Sequence, residues 1–263
     1  MNVHERRKHI ESYIEENGKA DIEELTGKLH VSTMTIRRDL TYLEKEGSVI
    51  RTHGGAVSPH FQKGERPYVQ KEQQYLFEKQ LIAEEALERV KPFSTIMLDS
   101  GTTTLELAKR LSIVKGLTVV TNDIFIATEL LYADIHVIVA GGELQREVGA
   151  MYGSHAQDLI RSLNVDQFFL GGHAVDLDQG VTAPTLEKAR VKQLMIEAAQ
   201  ETWLVADSSK FHQTTFAHVC HLETLQGIIS DAVMSGVSEQ PYRERFIVAG
   251  NGGRHLENRG YSG

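Results

Sequence analysis

The sequence predicts an α/β protein with two folded parts, a small N-terminal winged helix-turn-helix and a larger domain built on a mostly parallel sheet. Two observations support this prediction. Three helical apolar patterns and a short extended pair occupy the first 57 residues, and short apolar runs then alternate with helical stretches to about residue 235. The length of 263 residues and the hydrophobic fraction of 41% allow one small and one larger core.

The N-terminal part, residues 1–57, is predicted to contain three helices, over residues 4–17, 21–29 and 32–46. Asp21 and Ser32 are the expected N-caps of the second and third helices, and Gly47 is expected to end the third. Residues 48–57 read as two extended segments with Gly54-Gly55 at a hairpin tip. The helix-turn-helix proper covers about residues 20–39.

Residues 58–71 contain Pro59, Gly64 and Pro67 among polar residues, which indicates a linker. A long helix, Glu72–Val90, is expected to open the larger domain, which runs to residue 235. Residues 236–263 are expected to form a C-terminal extension with a disordered tail from about residue 250.

The larger domain is predicted to alternate strands with helices. Strands are expected at Thr95–Leu98, Leu117–Thr121, Ile135–Ala140, Gln167–Leu170, Trp203–Ala206 and Gly227–Ser230. Helices are expected between them at Thr103–Leu111, Phe125–Leu131, His155–Leu163 and Thr185–Gln200. This order is typical of a parallel sheet covered by helices.

Composition narrows the class of protein. The net charge is −8, and the first 60 residues hold nine Lys/Arg against ten Asp/Glu, so any binding of nucleic acid must come from locally placed positive charge. Cys220 is the only cysteine, which excludes an intrachain disulfide and fits a reducing cytoplasm. The N-terminus is polar, unlike a signal peptide, and no run of about 18 apolar residues predicts a membrane span. We therefore expect a cytoplasmic protein with no membrane partner.

The outer face of the third helix is suited to reading DNA. Ile36, Leu40 and Leu43 recur at i, i+4 and i+7 and are expected to face the core. The opposite face should present Met34, Arg38, Thr41 and Lys45, flanked by Thr35, Arg37 and Tyr42. Adjacent arginines are also common on a merely solvated helix face, so the hypothesis depends on the whole ordered segment.

We expect different roles for the residues on this face. Arg38 should read a base edge, because a guanidinium can bond both major-groove acceptors of guanine. Arg37 should bind phosphate, and Arg51 and His53 of the wing should contact the DNA backbone or the minor groove. The expected DNA-contacting residues are Ser32, Thr33, Met34, Thr35, Arg37, Arg38, Thr41, Arg51 and His53.

Short motifs in both parts of the chain support a resemblance to one family. The N-terminal motifs are VSTMTIRRDL (31–40), LEKEG (43–47) and RTHGGA (51–56), and the later motifs are LDSGTTT (98–104), VTN (120–122), GGEL (141–144) and ADSSKF (206–211). In this order, over about residues 4–235, they closely resemble the DeoR family of bacterial sugar-metabolism regulators. The resemblance implies a sensor domain similar in fold to ribose-phosphate isomerases and CoA transferases. It also implies a repressor of carbohydrate operons that leaves double-stranded operator DNA when a phosphorylated sugar binds.

The segment Asp99–Thr104 lies between a predicted strand end and a helix start. Free backbone N–H groups at a helix start, a glycine that lets the backbone approach a ligand, and threonine hydroxyls together suit a phosphate. Ordinary helix capping explains the same residue types equally well. Lys210 follows another strand end, and ligands of open α/β sheets bind beyond the carboxyl ends of strands, so both segments are expected to meet one anion.

Other strand ends add candidates for the same site. Thr121 and Asn122 are expected to bond sugar hydroxyls, His173 to influence effector specificity, and Glu187 and Lys192 are weaker candidates. The full expected effector-binding set is Asp99, Gly101, Thr102, Thr103, Thr104, Thr121, Asn122, His173, Glu187, Lys192, Asp207 and Lys210.

Catalysis, a cofactor and a metal are not expected. The isomerases that the domain resembles have acidic residues in the loop after the fourth strand. This chain has Leu170 and His173 in that loop and no acid at either position, so the base for proton abstraction is missing there. His173 could in principle act as a base. His212, His218, Cys220 and His221 lie close in sequence, but strand alternation would place His218 and Cys220 on one face and His221 on the other. Cys220 is expected to be a small buried hydrophobe.

The sequence therefore predicts a DNA-binding repressor that a sugar phosphate releases. A dimer or a tetramer is expected, because one winged helix covers little DNA and paired half-sites multiply affinity. An isomerase-like enzyme with an accessory DNA-binding head, or an activator of the same family, are the alternatives.

Overall fold

A computed structural model describes residues 2–17, 19–52, 54–57 and 68–250. The chain divides into two compact units, Met1–Lys71 and Glu72–Gly263. Residues 58–67 of the expected linker and the expected disordered tail from residue 251 lie outside the described residues. Among the described residues, no helix is both long and apolar enough to cross a bilayer.

The described part of the N-terminal unit consists of helices and a small antiparallel sheet. The helices are α1 (Val3–Asn17), α2 (Ile22–Leu29) and α3 (Thr33–Lys45), and the strands are β1 (Lys19–Asp21), β2 (Ile50–Arg51) and β3 (Gly55–Val57). Strand β3 lies between β1 and β2, so the predicted wing forms and is joined by a strand that was not predicted. Glycine is needed at position 55, because a Cβ there would lie 2.0 Å from the carbonyl oxygen of Ala20 on β1.

Helix α3 begins and ends at the predicted residues. The Ser32 hydroxyl accepts a hydrogen bond from the backbone N–H of Thr35 at 3.2 Å, which is N-cap geometry. Gly47 follows the helix with φ at 77°, a conformation that favours glycine. Asp21 occupies the predicted N-cap position of α2, but its side chain makes no capping hydrogen bond.

The predicted helix Glu72–Val90 is wrong at its start, because the structure divides this region into two helices. Helix α4 (Tyr68–Gln73) ends before Tyr75, whose φ of 54° is left-handed, and α5 (Leu76–Leu87) follows. The sequence over residues 72–90 contains neither Gly nor Pro, so no local signal marks the break. The Lys79 ammonium donates to the carbonyl oxygen of Gln74 at 2.5 Å, and this hydrogen bond stabilises the carboxyl end of α4.

The larger unit is built on a seven-stranded parallel sheet with the order β15-β14-β12-β9-β4-β5-β6. Its strands, from first to last in the chain, are β4 (Thr95–Leu98), β5 (Thr118–Thr121), β6 (His136–Val139), β9 (Val165–Gly171), β12 (Ala199–Val205), β14 (Gly227–Ser230) and β15 (Phe246–Val248). The helices around it are α5, α6 (Thr102–Ala108), α7 (Ile124–Glu129), α8 (Ser154–Arg161) and α9 (Leu186–Ala198). The predicted parallel α/β class is confirmed, and all the predicted strands form.

Several expected boundaries in this unit are corrected. Strand β15 pairs with β14, so the sheet continues past the expected domain end at residue 235 into the expected extension. Helix α9 ends at Ala198, and residues 199–200 begin β12 instead of ending the helix. The helix expected to reach Leu111 stops at Ala108 and is followed by a 3-10 turn at Leu111–Ile113.

Short antiparallel strands were not predicted. They are the hairpin β7 (Glu143–Gln145) with β8 (Ala150–Tyr152) and the small sheet of β10 (Ala174–Asp176), β11 (Gly180–Ala183) and β13 (Ala217–Cys220). Each strand is three or four residues long, too short for an alternating pattern to be distinguished from a loop.

Candidate functional site

The outer face of α3 is solvated as predicted. Ile36 and Leu40 are 0% exposed and Leu43 is 3% exposed, which confirms the phasing of the helix. Of the residues expected to contact DNA, Thr35 is half-buried, and the exposed residues are Ser32, Thr33, Met34, Arg37, Arg38 and Thr41. Ser32 has a structural task as well, since its hydroxyl caps the helix.

A buried ion pair that was not predicted joins α3 to α1. Asp39 is 2% exposed, and its two carboxylate oxygens accept from Arg6 Nε at 2.6 Å and Arg7 Nε at 2.9 Å. The Arg7 guanidinium also lies 3.7 Å from the centre of the Tyr42 ring. The spacing carries a signal for this pair, because Asp39 lies three residues after Ile36 and one before Leu40, within the buried stripe of the helix.

The wing contacts α3 through Arg51. Its Nη1 donates to Thr41 Oγ1 at 2.9 Å and approaches the carbonyl oxygen of Arg37 at 3.4 Å, and its backbone N–H donates to Glu44 Oε1 at 3.3 Å. Arg51 is half-buried. His53, the other expected wing contact, lies outside the described residues.

In the sensor unit, polar side chains cluster at the carboxyl ends of β4 and β9. The Lys192 ammonium, from α9, donates to the Asp99 carboxylate and to the carbonyl oxygen of Gly171, the latter at 2.9 Å. Asp99 also accepts from the Gly171 backbone N–H at 3.2 Å. Both charged side chains are at most 10% exposed. The structure thus brings Asp99 and Lys192 together, although they are 93 residues apart in sequence.

The three threonines after β4 are buried, and the structure gives a clear structural role to Thr104. The Thr104 hydroxyl bonds the carbonyl oxygens of Asp99 at 2.7 Å and Gly101 at 2.8 Å, and Thr104 is 0% exposed. Its hydroxyl therefore holds the turn around Gly101. Thr102 and Thr103 are 9% and 8% exposed and begin α6.

The side chains after β5 form hydrogen bonds within the fold. The Thr121 hydroxyl accepts from the backbone N–H of Asp123 at 3.1 Å, and Asn122 Nδ2 donates to the carbonyl oxygen of Met151 at 3.1 Å. Both residues are 0% exposed, and the Asn122 bond joins the β5 loop to strand β8 beneath the surface. Among the described residues, Asn122 Oδ1 is buried and has no hydrogen-bond partner, and the expected contact of these side chains with sugar hydroxyls stays a prediction.

Asp123 is a buried acid that was not predicted as a site residue. Its Oδ2 accepts from the Ser100 hydroxyl at 2.6 Å, and its Oδ1 accepts from the backbone N–H groups of Phe125 and Ile126 at the start of α7. Burial raises the pKa of Asp123 to about 6, against the opposing effect of these hydrogen bonds. This carboxyl therefore connects the loops after β4 and β5.

A second charged group lies at the carboxyl end of β12. Asp207 is 0% exposed, and its Oδ1 accepts from the backbone N–H of Ser209 at 3.1 Å. Its Oδ2 lies 4.0 Å from the Lys210 ammonium and, among the described residues, has no hydrogen-bond partner. Lys210 retains 32% of its side-chain exposure, so its ammonium is held near the acid but faces solvent.

Lys79 on α5 joins this group and was not predicted. It is 2% exposed, and burial lowers its pKa to about 8, against the attraction of Asp207 and with the repulsion of Lys210. Lys79 therefore interacts electrostatically with Asp207 and Lys210 at this strand end. No local pattern identifies Lys79, because it looks like an ordinary charged residue of a helix.

Tyr152 on β8 is buried and senses the charges of several acids of the sensor unit. Burial raises its pKa, and so do the charges of Asp99, Asp123 and Glu187. The Lys188 ammonium lies 5.7 Å from the centre of its ring. Glu187 itself is exposed, and His173 is half-buried in the segment between β9 and β10. The neutral Tyr152 hydroxyl is a hydrogen-bond donor that the sequence did not indicate.

The histidines near Cys220 are arranged differently from the prediction. The rings of His218 and His221 lie 4.6 Å apart, so they do not point to opposite faces, because the chain turns out of β13 at His221. Burial and the neighbouring His221 lower the pKa of His218. Within the described residues, no group of three or more His, Cys, Asp or Glu side chains is arranged to hold a metal ion. Cys220 is buried, as expected.

Two family models match the chain. The "DeoR-like helix-turn-helix domain" matches residues 6–62, and the "DeoR C terminal sensor domain" matches residues 75–232. Both parts of the chain are therefore similar to parts of the same family of regulators.

Several named regulators are similar to the chain over most of its length. The HTH-type transcriptional regulator GlpR of Haloferax volcanii is 35% identical, covering 94% of this chain and 97% of its own. The putative aga operon transcriptional repressor of Escherichia coli O157:H7 is 33% identical and covers 86% of each chain. The lactose phosphotransferase system repressor of Staphylococcus epidermidis is 30% identical and covers 88% of this chain and 93% of its own.

Solved structures resemble part of the chain. Ribose 5-phosphate isomerase A of Methanocaldococcus jannaschii has a TM-score of 0.40 at 15% identity, over 52% of this chain and 55% of its own. The eIF2B delta subunit of Chaetomium thermophilum has a TM-score of 0.45 at 19% identity, over 59% of this chain and 56% of its own. The named relatives by sequence are transcriptional regulators and not isomerases.

Proposed function

The chain belongs to the DeoR family of transcriptional regulators, and from this premise we propose that it represses an operon for carbohydrate uptake or use and leaves its operator when a phosphorylated sugar binds. The observation that supports this best is that one chain has both features: an exposed α3 face in the N-terminal unit, and buried lysines at strand ends in the sensor unit. Relatives named repressors favour repression over activation. The protein would act in the cytoplasm, where operator DNA lies.

The phosphate of the effector is best placed near Lys210 and Lys79. Lys192 is already paired with Asp99, whereas the Lys210 ammonium remains partly exposed and lies 4.0 Å from Asp207. A doubly charged phosphate would be attracted by the two ammonium groups, and its binding would favour the protonated form of Lys79, whose pKa of about 8 is close to neutrality.

The sugar itself would lie toward the acids at β4 and β5. Asp99 and the Tyr152 hydroxyl supply acceptors and a donor for hydroxyl groups, and Thr102 and Thr103 open the helix beside them. Such a site would distinguish sugar phosphates by the placement of their hydroxyls. His173 and Glu187, at the rim, are proposed to contribute to this choice.

We further propose that the regulator works as a homodimer or homotetramer. The exposed α3 face contains few basic residues, so one copy would neutralise few phosphates. Two copies on a palindromic operator would bind one helical turn apart and multiply the affinity.

The proposal is tested in two steps. Operator duplexes are selected from a random-sequence library with the purified full-length protein, and light scattering gives the mass of the complex. A panel of phosphorylated sugars, with the unphosphorylated sugars as matched controls, is then screened by thermal shift and for release of the selected duplex. We expect a phosphorylated sugar to release the duplex and its unphosphorylated control to leave the duplex bound. Failure to select any duplex, or release by none of the panel, would contradict the proposal.

A further inference from the structure

We infer that Arg51 is a positioning residue for DNA recognition, which fixes the wing on α3 and leaves Thr41 able to read a thymine methyl group. The inference rests on the proposed DNA binding of this chain and assigns Arg51 a role other than a contact with DNA. It is argued from contacts within the N-terminal unit.

The Arg51 side chain is directed onto α3. Its Nη1 donates to Thr41 Oγ1 at 2.9 Å and approaches the Arg37 carbonyl oxygen at 3.4 Å. Its Nε is buried and, among the described residues, lacks a hydrogen-bond partner. An arginine that grips phosphate presents its planar fork of N–H groups to the anion. Here two of the three nitrogens are turned toward the protein, whereas the neighbouring Arg37 and Arg38 are exposed.

The same contact determines the chemistry that Thr41 offers. A threonine hydroxyl has one proton and two lone pairs. The Thr41 proton is donated to the carbonyl oxygen of Arg37 at 2.8 Å, and one lone pair accepts from Arg51. Thr41 therefore has no proton for a base, and its remaining features are its methyl group and one acceptor position. In the major groove the partner for such a methyl group is the 5-methyl of thymine.

The wing is held at a second point by the backbone. The Arg51 N–H donates to Glu44 Oε1 at 3.3 Å, one helical turn beyond Thr41, and Arg51 pairs with Ala56 across the hairpin. Strand β2 is only two residues long, so few other contacts fix its direction. Loss of the Arg51 side-chain contact should let the wing move relative to α3 without unfolding the unit.

Two variants of Thr41 separate the two parts of the inference. Thr41→Val keeps a methyl group but removes the hydroxyl that Arg51 needs, and Thr41→Ser keeps the hydroxyl but removes the methyl. They are compared with Arg51→Met and with the double variant Arg51→Met/Thr41→Val. The full-length proteins are titrated with a duplex selected by the parent protein, at several salt concentrations, and with the same duplex in which single thymines are replaced by uracil.

We expect Arg51→Met and Thr41→Val each to weaken binding about threefold to tenfold, the worth of one hydrogen bond. The double variant should be no weaker than either single variant, because both remove the same contact. The salt dependence of Arg51→Met should equal that of Thr41→Val. One uracil replacement should weaken the parent and Thr41→Val, but should have no effect on Thr41→Ser.

Direct contact between Arg51 and phosphate would overturn the inference. In that case the slope of log affinity against log salt for Arg51→Met would be smaller in magnitude than that of Thr41→Val by about 0.9, and the two effects on affinity would add. A Thr41→Ser variant that still senses the uracil would remove the methyl contact.

The proposed function can fail separately. If the parent selects no duplex, DNA binding is contradicted, and the Arg51–Thr41 contact is then judged by a double-mutant cycle on unfolding of the N-terminal unit. Additive effects in that cycle would contradict the contact itself.

Discussion

Arg38 lies on the solvated face of α3, opposite the buried Ile36, Leu40 and Leu43. Replacing Arg38 with Ala should weaken operator binding by about 1–3 kcal/mol and relax the preference at one base pair, because a bidentate contact to guanine is lost. Titration of operator variants measures both effects. Lys8→Ala removes an exposed charge from α1 and is the control, which should keep the base preference. An Arg38→Ala variant with unchanged selectivity would show that another residue reads the groove.

Lys210 should act in induction and not in DNA binding. Lys210→Ala should bind the operator as the parent does, while its affinity for the sugar phosphate falls about tenfold to hundredfold, since a charge-assisted hydrogen bond is lost. Calorimetry with the effector and operator release measure the two properties. Lys115→Ala is the control, because Lys115 is exposed at the amino end of the sheet. Normal release of the Lys210→Ala variant would exclude this lysine from the site.

Asp123 should make stability depend on pH. Its folded pKa of about 6 is above the ordinary value of 3.8, so the folded state binds more protons between these pH values and the free energy of unfolding falls as pH rises through this window. Asp123→Asn keeps an acceptor for the α7 amides and has no charge. This variant should be more stable than the parent above pH 6, by about 3 kcal/mol, with the difference vanishing below pH 4. Urea unfolding over this range measures it, and a pH-independent difference would contradict the raised pKa.

At the scale of elements, α3 depends on α1 for its position. Asp39 is 2% exposed, and its carboxylate forms ion pairs with Arg6 and Arg7 of α1. Asp39→Ala should destabilise the N-terminal unit by about 2 kcal/mol, because two partly buried guanidinium groups lose their counter-charge. Chemical unfolding of the full chain, followed in this unit, measures the loss. Glu46→Ala removes an exposed acid after the same helix and should change little. An equal effect of both variants would reject the role of Asp39.

The α4–α5 break is also decided at this scale. Residues 72–90 favour one continuous helix, yet Tyr75 adopts a left-handed φ of 54° and two helices form. Left-handed backbone costs roughly 1 kcal/mol for a residue other than glycine. The hydrogen bond from the Lys79 ammonium to the carbonyl oxygen of Gln74 offsets part of this cost. No local sequence pattern indicates this bond.

At the scale of the whole molecule, the chain divides into two compact units, one with each proposed binding function. Calorimetry of the full chain should therefore resolve two unfolding transitions. Operator DNA should raise the unfolding temperature of the N-terminal unit, and the sugar phosphate should raise that of the sensor unit. At a hundredfold excess over its dissociation constant, each ligand should stabilise its unit by about 2.7 kcal/mol. A single transition that both ligands shift equally would show that the chain unfolds as one cooperative body.

The sequence by itself determined what depends on local period and composition. The spacing of Ile36, Leu40 and Leu43 determined which face of α3 is solvated, the residue type at Ser32 placed its start, and the alternation of apolar runs predicted the parallel sheet. These features follow from backbone geometry and from the burial of apolar side chains, both of which leave a periodic record in the chain.

Only the tertiary structure decided which polar groups meet. The contacts of Asp99 with Lys192 and of Asp39 with Arg6 and Arg7, and the electrostatic interaction of Lys79 with Asp207, join residues 32 to more than 90 positions apart. A buried charge needs a partner, but nothing near it in the chain states which residue that is. The contact of Arg51 with Thr41 is also decided by the tertiary structure, because it forms only when the hairpin folds the wing back against α3.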